Sequence, residues 1–245
     1  MKTFENKIVL ITGGNSGIGY ATAKEFLNLG AAVIITGRNK DAIEKASEEI
    51  GAIPFVADQS KLHDINKLYD DVSSKFGKID ILFINAGITG SAALIEEATE
   101  LNFDSVMDIN FKGAYFTLSK FIPLLNEGAS VVFLSSNVAT TNHPQSSIYQ
   151  ASKAAINSIA KTAAAELANR KIRVNTVSPG PTKTNVLDKS YGEAAQGIWQ
   201  NLADVIPLKK IGTPEDVAKM VVYLSNENAS YITGSDFVID GGMNL

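Results

Sequence analysis

The 245-residue sequence predicts an α/β protein built on a single doubly wound parallel sheet flanked by helices, and three observations carry that expectation. Short β-branched runs alternate with longer amphipathic stretches along the whole chain, the order that repeated β-α units require. The early runs, Ile8-Val9-Leu10-Ile11 and Val33-Ile34-Ile35, are apolar at consecutive positions instead of alternating. Both faces of such a strand must be covered, as helices cover a parallel sheet. No Pro/Gly/Ser-rich linker or shift in composition interrupts the series, so residues 1–245 read as one domain.

Taken in order, strands are expected at 7–12, 32–36, 53–57, 79–84, 130–134, 173–177 and 237–239, with helices at 17–29, 40–50, 61–76, 101–125, 147–169 and 214–224. The stretch 178–213 falls outside that alternation and is too long for an ordinary connection. Within it, residues 183–210 mix Val186, Leu187, Tyr191, Ile198, Trp199, Leu202, Val205 and Ile206 with polar residues such as Asn185, Asp188 and Glu193. That make-up suits a lid before the C-terminal strand, closing over an apolar or mixed substrate.

Composition narrows the partners. Apolar residues at 45% and charged residues at 20% are ordinary globular usage, which excludes disordered, collagen-like and coiled-coil chains. Lys plus Arg (22) against Asp plus Glu (26) gives a net charge of −4 with no basic stripe, so nucleic acid is not an expected partner. The absence of cysteine excludes disulfides, thiolate metal sites and thiol nucleophiles. Glu5 and Lys7 interrupt any signal-peptide core, and no apolar run approaches the ~18 residues of a membrane span. A cytoplasmic protein with no membrane partner is expected. His63 reads as solvated and His143 as a loop residue; no His or carboxylate spacing suggests a metal.

The first strand runs into Thr12-Gly13-Gly14-Asn15-Ser16-Gly17-Ile18-Gly19 and then a helix. Glycines at a first β-α turn let the backbone approach a pyrophosphate, whose charge sits on the helix N-terminus. The strict G-x-G-x-x-G spacing fails, because Thr22 fills the third slot, and glycines alone leave a ligand-free turn open. The second strand ends in Thr36-Gly37-Arg38-Asn39. A carboxylate there would bond an adenosine 2′-hydroxyl; Arg38 instead offers a planar fork suited to a 2′-phosphate, favouring NADP over NAD. Asp58, closing the third strand, suits either the adenine amino group or a helix cap.

The helix expected at 147–169 carries Tyr149 and Lys153 four residues apart, on one face. A positive charge ~4 Å from a phenolate is worth up to about 4 kcal/mol at an effective dielectric of ~20, enough to move a tyrosine towards working pH for acid–base chemistry. Ser135-Ser136 and Asn85-Ala86-Gly87 end strands at the carboxyl edge, where doubly wound sheets bind ligands. Asn110 sits inside a helical pattern, where asparagine is a poor helix former, and points to a local distortion.

Together these motifs resemble the short-chain dehydrogenase/reductase family over essentially all 245 residues: Thr12-Gly13-(x)3-Gly17-Ile18-Gly19, Asn85-Ala86-Gly87, Asn110, Ser136, Tyr149 thirteen residues later, Lys153 and Pro179-Gly180. The resemblance implies a Rossmann-like fold and an NADP-dependent oxidoreductase that moves a hydride between NADP(H) and a carbonyl or secondary alcohol, NADPH being preferred over NADH. It implies Tyr149 as general acid/base, Ser136 as the partner of the substrate oxygen, Lys153 as the group lowering the Tyr149 pKa and binding the ribose, and Asn110 as holder of a relay water. Gly13, Ser16, Ile18, Arg38, Asp58, Gln59, Asn85, Gly87, Thr182 and Thr184 match cofactor-contacting positions. Asn15, Gly17, Gly19, Asn39, Ala86, Pro179, Gly180, Tyr149 and Lys153 complete the expected set. One departure is Ser16, where many NADP-using members carry a basic residue. A homotetramer or dimer through the helices around 101–125 and 147–169 is implied as well. Substrate candidates are a 3-oxoacyl thioester, a sugar, a steroid or another ketone. The alternatives are a non-catalytic nucleotide sensor or scaffold, and another Rossmann-fold enzyme such as a methyltransferase.

Overall fold

In a computed structural model that describes residues 3–184 and 195–245, seven strands form one sheet. The strands are β1 (Ile8–Thr12), β2 (Ala32–Gly37), β3 (Ile53–Val56), β4 (Ile79–Ile84), β5 (Leu125–Leu134), β6 (Arg173–Pro179) and β7 (Asp236–Ile239). The main helices are α1 (Gly17–Asn28), α2 (Lys40–Ile50), α3 (Leu62–Phe76), α4 (Glu100–Met107), α5 (Ala114–Phe121), α6 (Ser147–Leu167), α7 (Ala195–Val205) and α8 (Pro214–Ser225). The spatial order is β3-β2-β1-β4-β5-β6-β7, with every pairing parallel. The order reverses between β1 and β4, which opens a crevice at their carboxyl ends.

Consecutive apolar residues in each strand divide between two cores. Val9, Ile11, Val33, Ile35, Ile81 and Phe83 pack on one face with Phe26 of α1 and Val217, Val221 and Leu224 of α8. Leu10, Ile34, Leu82, Ile84, Val131 and Phe133 pack on the other with Leu68 and Val72 of α3, Phe121 of α5 and Ile156 of α6. The period of two within an unbroken apolar run is the signature of a sheet buried on both sides. Phe26, Phe83, Phe121 and Phe133 are fully buried, each worth roughly 1.5–3 kcal/mol relative to exposure.

Strand ends match the sequence expectation to within two residues, except at β5. There the expected helix over 101–125 breaks three times. A π-helical turn at Asp108–Gly113 separates α4 from α5, a 3-10 turn (Ile122–Leu124) holding Pro123 ends α5, and the chain enters β5 at Leu125. Proline cannot supply the N–H that α5 would need to continue, and it biases its predecessor away from helix. Pairing with β4 then jumps from Ile79–Leu125 to Ile81–Ser130, so the ladder is interrupted over residues 126–129, with Gly128 at φ +76°.

The long excursion between β6 and β7 is stapled at its base, where Lys183 N–H donates to the Gly212 carbonyl (2.8 Å) and Gly212 N–H to the Pro181 carbonyl (3.1 Å). The C-terminal part of the expected lid is helical: α7 is followed by buried Ile206, and Leu208 N–H donates to the Gly241 carbonyl at 3.1 Å. Residues 185–194 of the expected lid lie outside the described residues. Among the described residues no helix is long and apolar enough to cross a membrane.

Candidate active site

The glycine turn is pressed against the end of β4. Gly13 takes φ +65°, and a Cβ there would stand 2.9 Å from Ala86 Cα; a Cβ on Gly19 would land on the Gly13 carbonyl. Asn85 holds the two segments together, its Nδ2 donating to the carbonyls of Thr12 (2.9 Å) and Gly13 (3.0 Å). Thr12 Oγ1 accepts in return from the backbone N–H groups of Asn85 and Ala86, both at 3.0 Å. Ser16, the N-cap of α1, makes no side-chain cap hydrogen bond, and the first turn of α1 carries no carboxylate. The positive end of α1 is therefore presented to the cleft without a competing side chain, as a bound pyrophosphate requires.

Arg38 stands exposed at the carboxyl end of β2 and lines the same cleft, with Asp58 opposite. Asp58 accepts from Ser60 N–H (3.0 Å) and Ser60 Oγ (2.7 Å), a turn and not a helix cap. Its carboxyl is held below the usual range: burial opposes the charge, but the Ser60 hydrogen bonds, Lys61 and Arg38 together outweigh it. Gln59 Nε2 bridges the carbonyls of Ala86 (3.2 Å) and Ile109 (3.0 Å).

At the other end of the cleft, Ser136 lies two residues past the end of β5 and is 8% exposed. Tyr149, in the first turn of α6, lies beside it on the wall of the cleft. Lys153, 3% exposed, places Nζ 5.7 Å from the Tyr149 ring centroid and donates to the Leu134 carbonyl at 2.8 Å. Ser135 Oγ donates to the Lys153 carbonyl at 3.3 Å, a second tie between β5 and α6. Desolvation raises the Tyr149 phenol above its ordinary value, with the neighbouring Ser136 hydroxyl opposing, and lowers the Lys153 ammonium to about 8. Burial penalises the charged form of both groups, and the ammonium is turned towards Leu134. The arrangement holds Tyr149 as a neutral phenol, the form that gives up a proton.

The cleft holds about 1140 Å³, more than one drug-sized ligand needs, and its walls join the two ends. Of the expected residues, Gly13, Asn15, Ser16, Gly17, Ile18, Arg38, Asp58, Gln59, Asn85, Ala86 and Gly87 line it, as do Ser136, Tyr149, Lys153, Pro179, Gly180, Thr182 and Thr184. Three do not. Gly19 is buried beneath the turn, and Asn39 caps α2 by accepting from Ala42 N–H at 2.9 Å. Asn110, inside the π-helical turn, clamps the chain after β4: its Oδ1 accepts from Ile88 N–H (2.8 Å), and its Nδ2 donates to Ile88 O (2.8 Å) and Ser152 Oγ (3.1 Å). The distortion expected at Asn110 is present, but its amide is engaged in positioning the wall.

The sequence reading missed residues that act across long separations. Thr12 is one. Asn102 is another, its amide bonding both backbone groups of Ser91 (2.9 and 3.0 Å) in the loop after β4. Asn244 is a third: it donates to the Asn137 carbonyl (3.0 Å) and accepts from Asn137 Nδ2 (3.4 Å), bracing the turn just after Ser136. The Thr89-Gly90-Ser91 turn, with Gly90 at φ +70°, was the one local signal of that wall. His143 is exposed and does not line the cleft, although its carbonyl accepts from Gln150 Nε2 at 2.7 Å.

A family profile described as enoyl-(acyl carrier protein) reductase matches residues 13–244. A solved structure titled short chain dehydrogenase/reductase family protein superposes with a TM-score of 0.87 at 34% identity, covering 99% of this chain and all of that one. The chain belongs to the short-chain dehydrogenase/reductase family. Among curated relatives of this dehydrogenase/reductase, the 3-oxoacyl-[acyl-carrier-protein] reductase FabG of Thermotoga maritima is 37% identical over 246 residues, 98% of each chain. The NADP-dependent (R)-specific alcohol dehydrogenase of Lentilactobacillus kefiri is 36% identical over 247 residues, 97% of this chain and 96% of that one.

Proposed function

We propose that the protein is an NADPH-dependent carbonyl reductase, reversible to alcohol oxidation, with Tyr149 as the proton donor. The observation that carries this reading is the juxtaposition of Ser136 and Tyr149 with Lys153 behind them, on the wall of a cleft that continues to the glycine turn and Arg38. Bound at that cleft, a nicotinamide would supply the hydride. The hydroxyls of Ser136 and Tyr149 both donate to a carbonyl oxygen placed between them, and Tyr149 transfers its proton as charge develops there. Lys153 keeps a positive charge near the resulting phenolate. The uncapped N-terminus of α1 and the glycine turn hold the pyrophosphate, Arg38 takes the 2′-phosphate, and Asp58 accepts from the adenine amino group. Thr182 and Thr184, beside the stapled base of the excursion, face the nicotinamide end, with α7 as the described part of a lid.

Relatives named as NADP-dependent and as a 3-oxoacyl reductase support the reading. The test is oxidation of NADPH and of NADH against a panel of ketones and aldehydes; the reading fails if none is turned over, or if NADH serves equally well. A cytoplasmic homo-oligomer, a dimer or tetramer, goes with it. Leu101 and Phe103 of α4 and Tyr115 and Phe116 of α5 are exposed apolar side chains in the region expected to form the interface.

A further inference from the structure

Every charged side chain that lines the cleft among the described residues lies at its cofactor end or at the catalytic pair: Arg38, Asp58 and Lys153. Beyond Ser136 and Tyr149 the cleft is walled by the loop after β4, the loop before α6 and the inner face of α7. None of the lining residues from these three segments is ionisable. The apolar side chains there include Ile88, Pro144, Ile148, Trp199 and Leu202, and the same segments add uncharged hydroxyl and amide groups such as Thr89, Ser91 and Gln145. Trp199 and Leu202 lie three residues apart and so share one helix face. The two loops are joined where Ala93 N–H donates to the Gln145 carbonyl at 3.1 Å, and Asn102 fixes Ser91, so this wall is built and not a chance opening. Lys153, the nearest cation, sits behind Tyr149 and donates to the Leu134 carbonyl.

A carboxylate brought against such walls would exchange hydration for neutral hydrogen bonds at best and gain no opposite charge, whereas a neutral ketone gains apolar contact. We propose that the substrate is an uncharged ketone whose alkyl or aryl portion lies against Pro144, Ile148, Trp199 and Leu202, and that the site rejects 2-oxo and 3-oxo acids bearing a free carboxylate. This rests on the reductase reading and narrows its substrate class.

The experiment compares matched pairs with NADPH: ethyl acetoacetate against acetoacetate, and methyl benzoylformate against benzoylformate. The proposal expects kcat/KM at least a hundredfold higher for the ester in each pair. Equal values, or preference for the acid, overturn it. Gln145→Arg, which sets a cation on this wall, should raise the acid-to-ester ratio about tenfold, and an unchanged ratio counts against the proposal. If no compound is turned over, the reductase reading fails, and binding then decides the inference. Titrating the enzyme–NADP⁺ complex calorimetrically with ethyl 3-hydroxybutanoate and with 3-hydroxybutanoate should show the ester binding at least tenfold tighter. Tighter binding of the acid, or binding of neither, overturns it.

Discussion

The ammonium of Lys153 donates to the main-chain carbonyl of Leu134 at 2.8 Å, so the helix bearing Tyr149 is fastened to the strand that delivers Ser136. The Ser135 hydroxyl, bonded to the Lys153 carbonyl, repeats the tie one residue along. The donor pair is thus set by the α6–β5 packing, before any ligand arrives.

That fastening leaves a buried cation, and its linkage to pH has a definite sign. Lys153 titrates near 8 in the folded protein against 10.5 unfolded, so between those values the unfolded chain binds more protons and stability rises with pH. The penalty, about 3 kcal/mol, is fully present below pH 8 and gone above 10.5. Lys153→Met should remove it and lose about 1 kcal/mol for the orphaned Leu134 carbonyl. A stabilisation of roughly 2 kcal/mol at pH 7 is expected, shrinking or reversing at pH 10.5, together with loss of turnover. Urea unfolding of both proteins at the two pH values is the check; a variant less stable at pH 7 contradicts the linkage.

Tyr149→Phe removes one hydroxyl and almost no volume. Fold and NADPH affinity should be retained while kcat falls by about 10²–10⁴, the usual worth of a positioned acid. Retention of more than a tenth of the wild-type turnover would place the proton donor elsewhere.

Cofactor choice should follow Arg38. Losing a charge-assisted contact to the 2′-phosphate costs roughly 1.5–3 kcal/mol, so Arg38→Ala should raise KM for NADPH ten- to a hundredfold and leave NADH almost unchanged. An unaltered NADPH-to-NADH ratio would remove Arg38 from recognition.

Asn110→Ala strips the partners from both backbone groups of Ile88 and one bond from Ser152, whose hydroxyl keeps the Tyr149 carbonyl. With each of the two orphaned, part-buried groups worth about 1–2 kcal/mol, a loss of roughly 2–4 kcal/mol is expected by denaturant titration. A change below 1 kcal/mol would mean the loop after β4 holds its place without the clamp.

Most of the sheet could be read in advance because Ile8–Ile11, Val33–Ile35 and Ile81–Ile84 are apolar on both faces, and little else buries such runs. The strand order could not, since it follows from which helices cross which face. Pro123 was a visible helix terminator that the 101–125 pattern overrode. Asn39 looked like a cofactor contact because of its place beside Arg38, yet an asparagine just ahead of a helical pattern is also an N-cap, and that role it fills. Ser136, Tyr149 and Lys153 were legible because their spacing is local to one strand end and one helix. The substrate wall was not, because it is assembled from segments about 50 residues apart (88–93, 144–148 and 199–202), with Asn102 and Asn244 acting across the fold.

The Asn137–Asn244 pair joins residues 107 positions apart, and this bears on how the enzyme comes into being during synthesis. A nascent chain reaching Lys153 already contains every proposed catalytic residue, yet β6, β7 and the residues that brace the Ser136 turn have still to be translated. Contacts this distant close late, after the loop entropy of the intervening segment has been overcome. Strands β1 to β4 and the dinucleotide end of the cleft are available much earlier. The nascent protein should therefore acquire affinity for its nucleotide well before it acquires turnover. A chain interrupted ahead of β7 would hold the ligand without using it.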